Sequence, residues 1–243
     1  MPPILKVANI SRFFGGVAAI SELSFALSTG EILGLIGPNG AGKTTLFNLI
    51  TGFLRPNLGE IYFQGRRLAG LKPHKIVARG VTRTFQIPKP FGSLNCLENV
   101  AVSMVAKTGL ARRHDPEMLR RSRLILETTG LADKEGMLPE ALTQGDLKKL
   151  EIARALATSP HLLLLDEPFA GLTNAEIAGI SQLIEQVHGR GVTMIIVEHR
   201  LRELMRIVQR VVALDFGEKI AEGTPQEITS HPRVIEAYLG TGD

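Results

Sequence analysis

The sequence predicts an α/β fold with a mainly parallel sheet, an antiparallel β subdomain and an inserted α-helical subdomain. The parallel strands are predicted from short apolar runs bounded by turn residues, at residues 162–165, 192–197 and 211–214. In the first thirty residues, apolar and polar side chains alternate around Gly15-Gly16, which predicts antiparallel strands. From about residue 95 to residue 157, apolar residues recur at helical spacing and no strand is convincing.

Three further elements follow from local patterns. Residues 32–36 are apolar or glycine and predict a buried strand, and residues 59–65 predict another strand bounded by glycines. Residues 174–188 carry apolar side chains at helical spacing, and Thr173 with Glu176 can form a capping box at the start of this helix. Because the helix lies between two predicted strands, the segment is a βαβ unit.

Prolines mark the limits of the helical part, with Pro88 and Pro90 at its entrance and Pro160 at its exit. We therefore expect one domain over residues 1–243. Within it, the α/β core with its antiparallel β subdomain is predicted at about 1–87 and 160–243, and the helical subdomain at about 88–159.

The composition of the 243-residue chain is that of a globular protein, with 44% hydrophobic residues, 21% charged residues and a net charge of +4. No window approaches the ~18 apolar residues of a spanning helix, and the first residues lack the pattern of a secretory signal. Cys96 is the single cysteine, which excludes an internal disulfide framework and a thiolate-rich metal site. These features predict a protein of the cytosol.

The most specific motif is residues 37–44, which read Gly-Pro-Asn-Gly-Ala-Gly-Lys-Thr and satisfy the phosphate-binding pattern G-x-x-x-x-G-K-[ST]. In such a loop the glycines let backbone N–H groups surround phosphates, Lys43 adds a positive charge, and the Thr44 hydroxyl can bind Mg²⁺. The predicted strand before it and helix after it favour this interpretation over an ordinary glycine-rich turn. The core is therefore predicted to be a P-loop NTPase (RecA-like) core. The residues expected to bind the nucleotide are Gly37, Pro38, Asn39, Gly40, Ala41, Gly42, Lys43, Thr44 and Thr45.

Two acidic residues, Asp166 and Glu167, follow the predicted strand at residues 162–165. In phosphate-loop enzymes an aspartate at a strand end orders the Mg²⁺ shell, so Asp166 is a candidate metal ligand. Glu167 is then placed to orient or deprotonate an attacking water. The alternative is a simple strand-end turn, because Asp-Glu-Pro is favourable turn chemistry, but the phosphate loop upstream favours catalysis.

Two polar residues, Gln86 and His199, also follow predicted strands. A neutral imidazole at His199 could hold a γ-phosphate, or the pair formed by Glu167 and its water. The Gln86 amide can bind Mg²⁺ or contact the attacking water, while its backbone acts as a hinge to the helical subdomain. Polar residues at strand ends are common, so either residue taken alone could also be a structural surface group.

Together these residues resemble the ATP-binding cassette (ABC) ATPases of transporters, whose motifs occur in the same order along nearly the whole chain. Gln86 matches the glutamine loop of that family, Asp166 and Glu167 match its second nucleotide motif with the catalytic glutamate, and His199 matches its switch histidine. Four stretches are similar to the ATPases of branched-chain amino acid importers, namely residues 83–86, 170–172, 217–225 and 232–240.

Residues 142–146, Leu-Thr-Gln-Gly-Asp, stand where the family has its signature, typically Leu-Ser-Gly-Gly-Gln. The resemblance implies that Thr143, Gln144, Gly145 and Asp146 contact ATP bound to a partner subunit. Asp146 puts a carboxylate into the first turn of the following helix, where it would oppose a phosphate. We therefore expect slower hydrolysis or weaker ATP-driven dimerisation than a glutamine would give.

Two further positions, Thr173 and Phe14, correspond to functional positions of the family. Thr173 stands where the importer subgroup often has Asn or Asp. A threonine also caps a helix, so the structural role is retained while the contact of this loop across the dimer is in doubt. Phe14 matches the aromatic residue that stacks on adenine in the family, and the alternative is that Phe13 or Phe14 faces the core of the antiparallel subdomain.

The resemblance implies an ATP-hydrolysing subunit of a membrane ABC importer, peripheral on the cytoplasmic face of the inner (cell) membrane. ATP and Mg²⁺ are its expected ligands, with the metal held by Thr44, Gln86 and Asp166. Two ATPase subunits, in a homodimer or a heterodimer, would close around ATP and drive integral-membrane permease subunits, which a substrate-binding protein serves. Branched-chain amino acids are the default cargo of the subgroup, and urea, amides and aromatic acids are alternatives.

Two other classes stay open at this point: a cassette ATPase that acts on nucleic acid, and the ATPase of a lipid exporter or another exporter. The first class usually carries two cassettes or a long coiled-coil insertion, and the sequence has neither, so nucleic acid is not an expected partner. The second is disfavoured only by the resemblance of the closing segment to importers. A small GTPase would need a guanine-reading Asn-Lys-x-Asp pattern, which the sequence lacks.

Overall fold

The computed structural model of the chain describes residues 2–108 and 115–239. Its strands are β1 (Leu5–Phe14), β2 (Val17–Leu27), β3 (Ile32–Ile36), β4 (Leu58–Phe63), β5 (Arg66–Arg67), β6 (Val81–Arg83), β7 (Leu162–Asp166), β8 (Thr193–Val197), β9 (Arg210–Asp215) and β10 (Glu218–Gly223). Its helices are α1 (Lys43–Ile50), α2 (Pro73–Ala78), α3 (Cys96–Thr108), α4 (Pro116–Thr128), α5 (Gln144–Ala157), α6 (Asn174–His188), α7 (Leu201–Ile207), α8 (Pro225–Thr229) and α9 (Pro232–Leu239).

The described chain divides into two compact units. Residues 77–192 form one unit, called the inserted unit below, and the described residues before and after them form the other, called the loop unit. The helical subdomain predicted at about 88–159 falls within the inserted unit, which also contains β6, β7 and α6.

The loop unit contains two sets of strands. The first is an antiparallel sheet in the order β2-β1-β4-β5, with the turn at Gly15-Gly16 between β1 and β2. In the second set, β3 pairs in parallel with β8 and with β9, and β10 pairs antiparallel with β9. Every residue of β3 and β8 is buried, which is why both strands read as continuous apolar runs instead of alternating ones. The phosphate motif, residues 37–44, follows the last residue of β3 and ends in the first turn of α1.

The inserted unit has its own core. Strands β6 and β7 pair in parallel, with Val81 opposite Leu162, and all of β7 up to Asp166 is buried. Helices α3, α4 and α5 pack a common apolar cluster that includes Cys96 and Leu126. Burial raises the pKa of the Cys96 thiol above its ordinary value, so the thiol is neutral and behaves as an apolar core group.

The predicted helix at residues 174–188 is observed as α6, with Thr173 as its N-cap and a complete capping box to Glu176. The described residues between 95 and 157 contain helices and 3₁₀ turns and no strand, as the apolar spacing predicts.

Several short elements were not predicted from residue patterns, among them α2, α7, α8 and β10. The three helices have five to seven residues, which is too short for a helical period to stand out, and the six residues of β10 include two apolar ones that are adjacent instead of alternating. The closing helix α9 covers the stretch that the resemblance had singled out, except for Gly240, which lies outside the described residues. Among the residues that the structure describes, none of the helices has the length and apolar character needed to cross a membrane.

Candidate functional site

The phosphate loop connects the buried end of β3 to the first turn of α1. Gly42 is the N-cap of α1 with φ of 99°, and a Cβ at this position would lie 2.6 Å from the Ala19 carbonyl oxygen. Gly37, at φ of 152°, is equally constrained, because a Cβ there would lie 2.3 Å from the Leu214 carbonyl oxygen. Both positions therefore require glycine.

The N-terminus of α1 is suited to an anion. No side chain caps it, and its first turn holds no acidic residue. Backbone N–H groups at a helix N-terminus can donate to phosphate oxygens, and the helix dipole favours negative charge there. Thr44 is exposed at the second position of the helix and Thr45 is half-buried at the third. The loop therefore fits the triphosphate of a nucleotide.

Lys43 is buried and donates hydrogen bonds from Nζ to the carbonyl oxygens of Gly37, at 2.6 Å, and Pro38, at 2.9 Å. Both acceptors belong to the loop itself, so the ammonium is held by the backbone that would surround the phosphates. The positive charge is thereby placed inside the loop.

The closing helix α9 contacts the same loop through Tyr238. The backbone N–H of Gly37 donates to the Tyr238 hydroxyl oxygen at 2.7 Å. Burial raises the pKa of Tyr238, an effect that the hydrogen bond from Gly37 only partly offsets, so the hydroxyl is protonated at neutral pH. Tyr238, which is 201 positions from Gly37 in the chain, thus holds the backbone N–H of the first residue of the phosphate loop.

Tyr238→Phe is expected to weaken nucleotide binding by about 3- to 10-fold, because the buried Gly37 N–H loses its acceptor at a cost of about 1–2 kcal/mol. Titration with a fluorescent nucleotide measures the change. Tyr62→Phe, on β4, is the matched control and should leave the affinity unchanged. Equal affinities in the two variants would contradict a role for α9 in shaping the loop.

Asp166, at the end of β7, forms a buried ion pair. Its Oδ2 accepts a hydrogen bond from Arg83 Nη2 at 2.6 Å, and both side chains are only 6% exposed. The Asp166 backbone N–H donates to the Thr84 hydroxyl at 3.2 Å, so the last residue of β6 holds the side chain of Asp166 and the next residue holds its backbone. The carboxylate is therefore fixed in place, and Arg83 balances its charge.

Glu167 and Gln86, two of the predicted catalytic residues, are in direct contact. Gln86 Nε2 donates to Glu167 Oε2 at 2.9 Å. Glu167 has φ of 50°, a left-handed backbone that is uncommon for a residue with a side chain. Such strained residues concentrate at functional sites, which agrees with a catalytic interpretation of Glu167. Within the inserted unit, the structure thus pairs Gln86 with Glu167, next to Asp166 and its partner Arg83.

The signature residues begin α5. Thr143 is its N-cap and forms a capping box with Asp146, as the sequence predicts. The Asp146 carboxylate also pairs with Lys134 Nζ at 2.7 Å. Burial alone would raise the pKa of Asp146, but the hydrogen bonds from Lys134 and Thr143 outweigh it and hold the pKa below its ordinary value. The carboxylate is ionised yet neutralised, so its expected opposition to a phosphate is smaller than the sequence suggests.

Asp146→Gln is expected to strengthen ATP-driven association and hydrolysis by about two- to fivefold, the effect of one charge at a helix N-terminus. Stability should fall by about 1 kcal/mol or less, because glutamine can still complete the capping box while the ion pair is lost. Light scattering with and without ATP, together with the hydrolysis rate, measures both effects. Asp133→Asn is the control, since it removes a nearby charge without touching α5. Unchanged association and hydrolysis in Asp146→Gln would refute the expectation.

Gly145 of the signature contacts the first turn of α6. The Glu176 carboxylate accepts hydrogen bonds from Thr173 and from the backbone N–H of Gly145. A Cβ at Gly145 would lie 2.7 Å from Glu176 Oε1, so a larger residue at this position would displace the Glu176 side chain. Gln144 is exposed at the first position of α5.

His199 and Phe14 lie in the loop unit. His199 follows β8, its side chain is exposed, and its backbone N–H donates to the Glu198 carboxylate at 3.0 Å. Phe14 is 46% exposed, with the Arg12 guanidinium 4.7 Å from the centre of its ring. The alternative that Phe14 faces the core of the antiparallel sheet is therefore wrong, because its ring is open to solvent.

Sequence reasoning missed several residues that contact the predicted ones within each unit, namely Arg83, Lys134, Lys148 and Tyr238. Arg83 and Tyr238 lie in stretches noted for their similarity to importer ATPases, which was an available signal. Lys148 lies in residues 147–156, which resemble the helix after the family signature, but no local pattern singled out this lysine or Lys134. Among the described residues, no group of three or more His, Cys, Asp or Glu side chains could hold a metal ion.

Comparison with known proteins identifies relatives along the whole chain. The ABC transporter family matches residues 20–170, and the family described as branched-chain amino acid ATP-binding cassette transporter matches residues 218–243. The high-affinity branched-chain amino acid transport ATP-binding protein LivG of Salmonella typhimurium is 39% identical over 250 aligned residues, which cover 98% of each chain.

Two solved structures extend the comparison. An ATP-binding cassette of an ABC transporter in its ADP conformation superposes with a TM-score of 0.91 at 31% identity, covering 99% of this chain and 100% of that one. A dimeric bacterial ABC transporter cassette gives a TM-score of 0.81 at 26% identity, covering 91% and 98%. The predicted α/β fold class and the predicted ATPase activity are thereby confirmed. The chain belongs to the ABC transporter family, as one of its ATP-binding cassettes.

Proposed function

We propose that this ATPase is the ATP-hydrolysing subunit of a membrane importer for branched-chain or related amino acids. The observation that carries the proposal is the closing segment, residues 218–243, which matches the branched-chain amino acid cassette family. This segment includes α9, and through Tyr238 it contacts the phosphate loop directly. The Salmonella relative, similar over its full length, is itself named for high-affinity branched-chain amino acid transport.

ATP is proposed to bind with its phosphates on the backbone N–H groups of residues 37–45 and on the Lys43 ammonium. Mg²⁺ is proposed to be held by Thr44, Gln86 and Asp166, since their side-chain oxygens are the donor type that this ion prefers. When bound, Mg²⁺ neutralises phosphate charge during phosphoryl transfer. The face of the Phe14 ring that Arg12 does not cover is proposed to stack on adenine.

Hydrolysis is proposed to depend on Glu167 as the base that takes a proton from the attacking water. The hydrogen bond from Gln86 supports this role, because it orients the carboxylate. His199 is proposed to hold the γ-phosphate in the closed state through its exposed imidazole. Catalysis of this kind rests on positioning and charge neutralisation more than on covalent chemistry.

A second ATPase subunit is proposed to supply its signature residues to complete the site, in a homodimer or a heterodimer. The capped N-terminus of α5, with Thr143, Gln144, Gly145 and Asp146, is the part of the subunit offered to the ATP of its partner. A similar bacterial cassette has been solved as a dimer, which supports this arrangement. Hydrolysis converts ATP into ADP and phosphate, which repel each other, and the dimer then opens.

The proposed partners are integral-membrane permease subunits, with a substrate-binding protein acting through them. The ATPase is then peripheral on the cytoplasmic face of the cell membrane, where the motion of the inserted unit and the Gln86 segment reaches the permeases.

Affinity purification from detergent-solubilised native membranes, followed by mass spectrometry, tests the proposal. The tag belongs at the N-terminus, since α9 contacts the phosphate loop. We expect two multi-span permeases, with or without a second cassette ATPase. An extract from cells that express the tag alone is the control. Recovery of only soluble factors or nucleic acid would refute the transport function.

A further inference from the structure

One face of α5, the helix that starts at the signature, is hydrogen-bonded to the backbone around Gln86. The three residues on this face, Lys148, Glu151 and Arg154, are spaced three apart, so their side chains lie along one line of the helix. Glu151 Oε1 accepts from the backbone N–H of Phe85 at 2.5 Å, and Arg154 Nη1 donates to the Lys89 carbonyl oxygen at 2.7 Å.

Lys148 differs from the other two because it reaches two predicted catalytic residues at once. Its Nζ donates to the carbonyl oxygen of Gln86 at 2.8 Å and to the carbonyl oxygen of Glu167 at 3.1 Å. The side chain is buried, with 4% of the residue exposed. Since a buried ammonium is costly unless it is hydrogen-bonded, these contacts hold the lysine in one position.

The backbone at Glu167 explains why such a contact is needed. Its left-handed φ of 50° is sparsely populated, and a conformation of this kind persists only when the surroundings enforce it. The Glu167 carbonyl also accepts from the backbone N–H of Ala170 at 3.2 Å, so Lys148 completes a pair of donors on the strained residue. The same ammonium sets the distance between this backbone and that of Gln86.

We infer that Lys148 is a positioning residue for hydrolysis. Its ammonium holds the backbones of Gln86 and Glu167 at a fixed distance from each other and links both to α5, the helix that begins at the signature. The inference rests on the proposed roles of Gln86 and Glu167 in hydrolysis. Lys148 itself touches neither nucleotide nor water in this role. It acts by keeping the Glu167 carboxylate and the Gln86 amide at their hydrogen-bonding distance, and small misplacements of catalytic groups have large effects on rate.

The test compares steady-state ATP hydrolysis by the full chain and by the Lys148→Met, Lys148→Arg and Lys149→Met variants. Lys148→Met should lower kcat by about 10- to 100-fold while the KM for ATP changes by less than about twofold, because the phosphate loop and Lys43 are untouched. Lys148→Arg should recover part of the loss, since a guanidinium can also donate to two carbonyls. Lys149→Met, the neighbouring lysine on the same helix, is the matched control and should match the unaltered chain.

Two outcomes overturn the inference: a kcat of Lys148→Met within twofold of the unaltered chain, or a loss that Lys148→Arg does not relieve. If Lys148→Met fails to fold, Lys148→Gln replaces it, and its kcat must then fall between those of the arginine variant and Glu167→Gln. Glu167→Gln is measured in parallel to separate the two claims. A hydrolysis rate of Glu167→Gln within about tenfold of the unaltered chain refutes the base role of Glu167. A loss of about 10²-fold or more in Glu167→Gln beside a fully active Lys148→Met refutes the role of Lys148 alone.

Discussion

Glu167→Gln is expected to reduce ATP hydrolysis by about 10²- to 10³-fold while preserving ATP-stabilised association of two subunits. The amide cannot take a proton from water, which removes the proposed general base. It has the same shape as the carboxylate, and its oxygen can still accept the hydrogen bond from Gln86. Binding and closure should therefore survive while turnover stops.

Two measurements check this expectation: the single-turnover hydrolysis rate, and light scattering with and without ATP. Glu185→Gln, an exposed position on α6, removes the same charge away from the site and should behave like the unaltered chain. Substantial residual hydrolysis in Glu167→Gln would assign the base role to another group. A loss of ATP-stabilised association would instead show that the carboxylate is needed for closure.

Lys43→Ala is expected to weaken ATP binding by about 10²-fold. The ammonium is the one side-chain cation held inside the described phosphate loop, where two loop carbonyls orient it. A hydrogen bond to a charged partner contributes about 1.5–3 kcal/mol, and its loss to the phosphates corresponds to roughly one to two orders of magnitude in affinity. The backbone N–H groups at the start of α1 remain, so residual binding is expected.

Equilibrium titration with a fluorescent ATP analogue measures the loss, and thermal unfolding without nucleotide reports any change in the fold itself. Lys6→Ala, an exposed lysine on β1, is the control for removal of one positive charge. If Lys43→Ala and Lys6→Ala bind ATP equally well, the phosphate role of Lys43 is wrong.

Local features of the fold were predictable because their signals lie within a few residues of one another. Helix α6 begins and ends where its apolar spacing and its capping box place it, since both patterns repeat within one or two turns. The phosphate motif is contiguous, and its glycines, lysine and threonine carry a binding chemistry that depends only on the loop they form. The buried strands β3, β7 and β8 also follow from composition alone.

The electrostatic surroundings of Asp146 could be predicted only in part from residues near it in the sequence. The capping box between Thr143 and Asp146 spans three residues and was predictable. The pairing of Asp146 with Lys134 was not, because a 3₁₀ turn and two packed helices bring that lysine to the start of α5. The ion pair with Lys134 reduces the repulsion expected between Asp146 and a phosphate, since a neutralised carboxylate repels a phosphate less than an unpaired one.

The sequence by itself determined the fold class, the phosphate loop and the order of the family motifs. Each element and motif depends on residues that lie close together in the chain. Only the tertiary structure decided which side chains meet: Arg83 with Asp166, Tyr238 with Gly37, and Lys148 with both Gln86 and Glu167. These partners are separated by 19 to 201 positions. A residue pattern indicates which face of a helix or strand is buried, but it does not indicate which distant residue packs against that face.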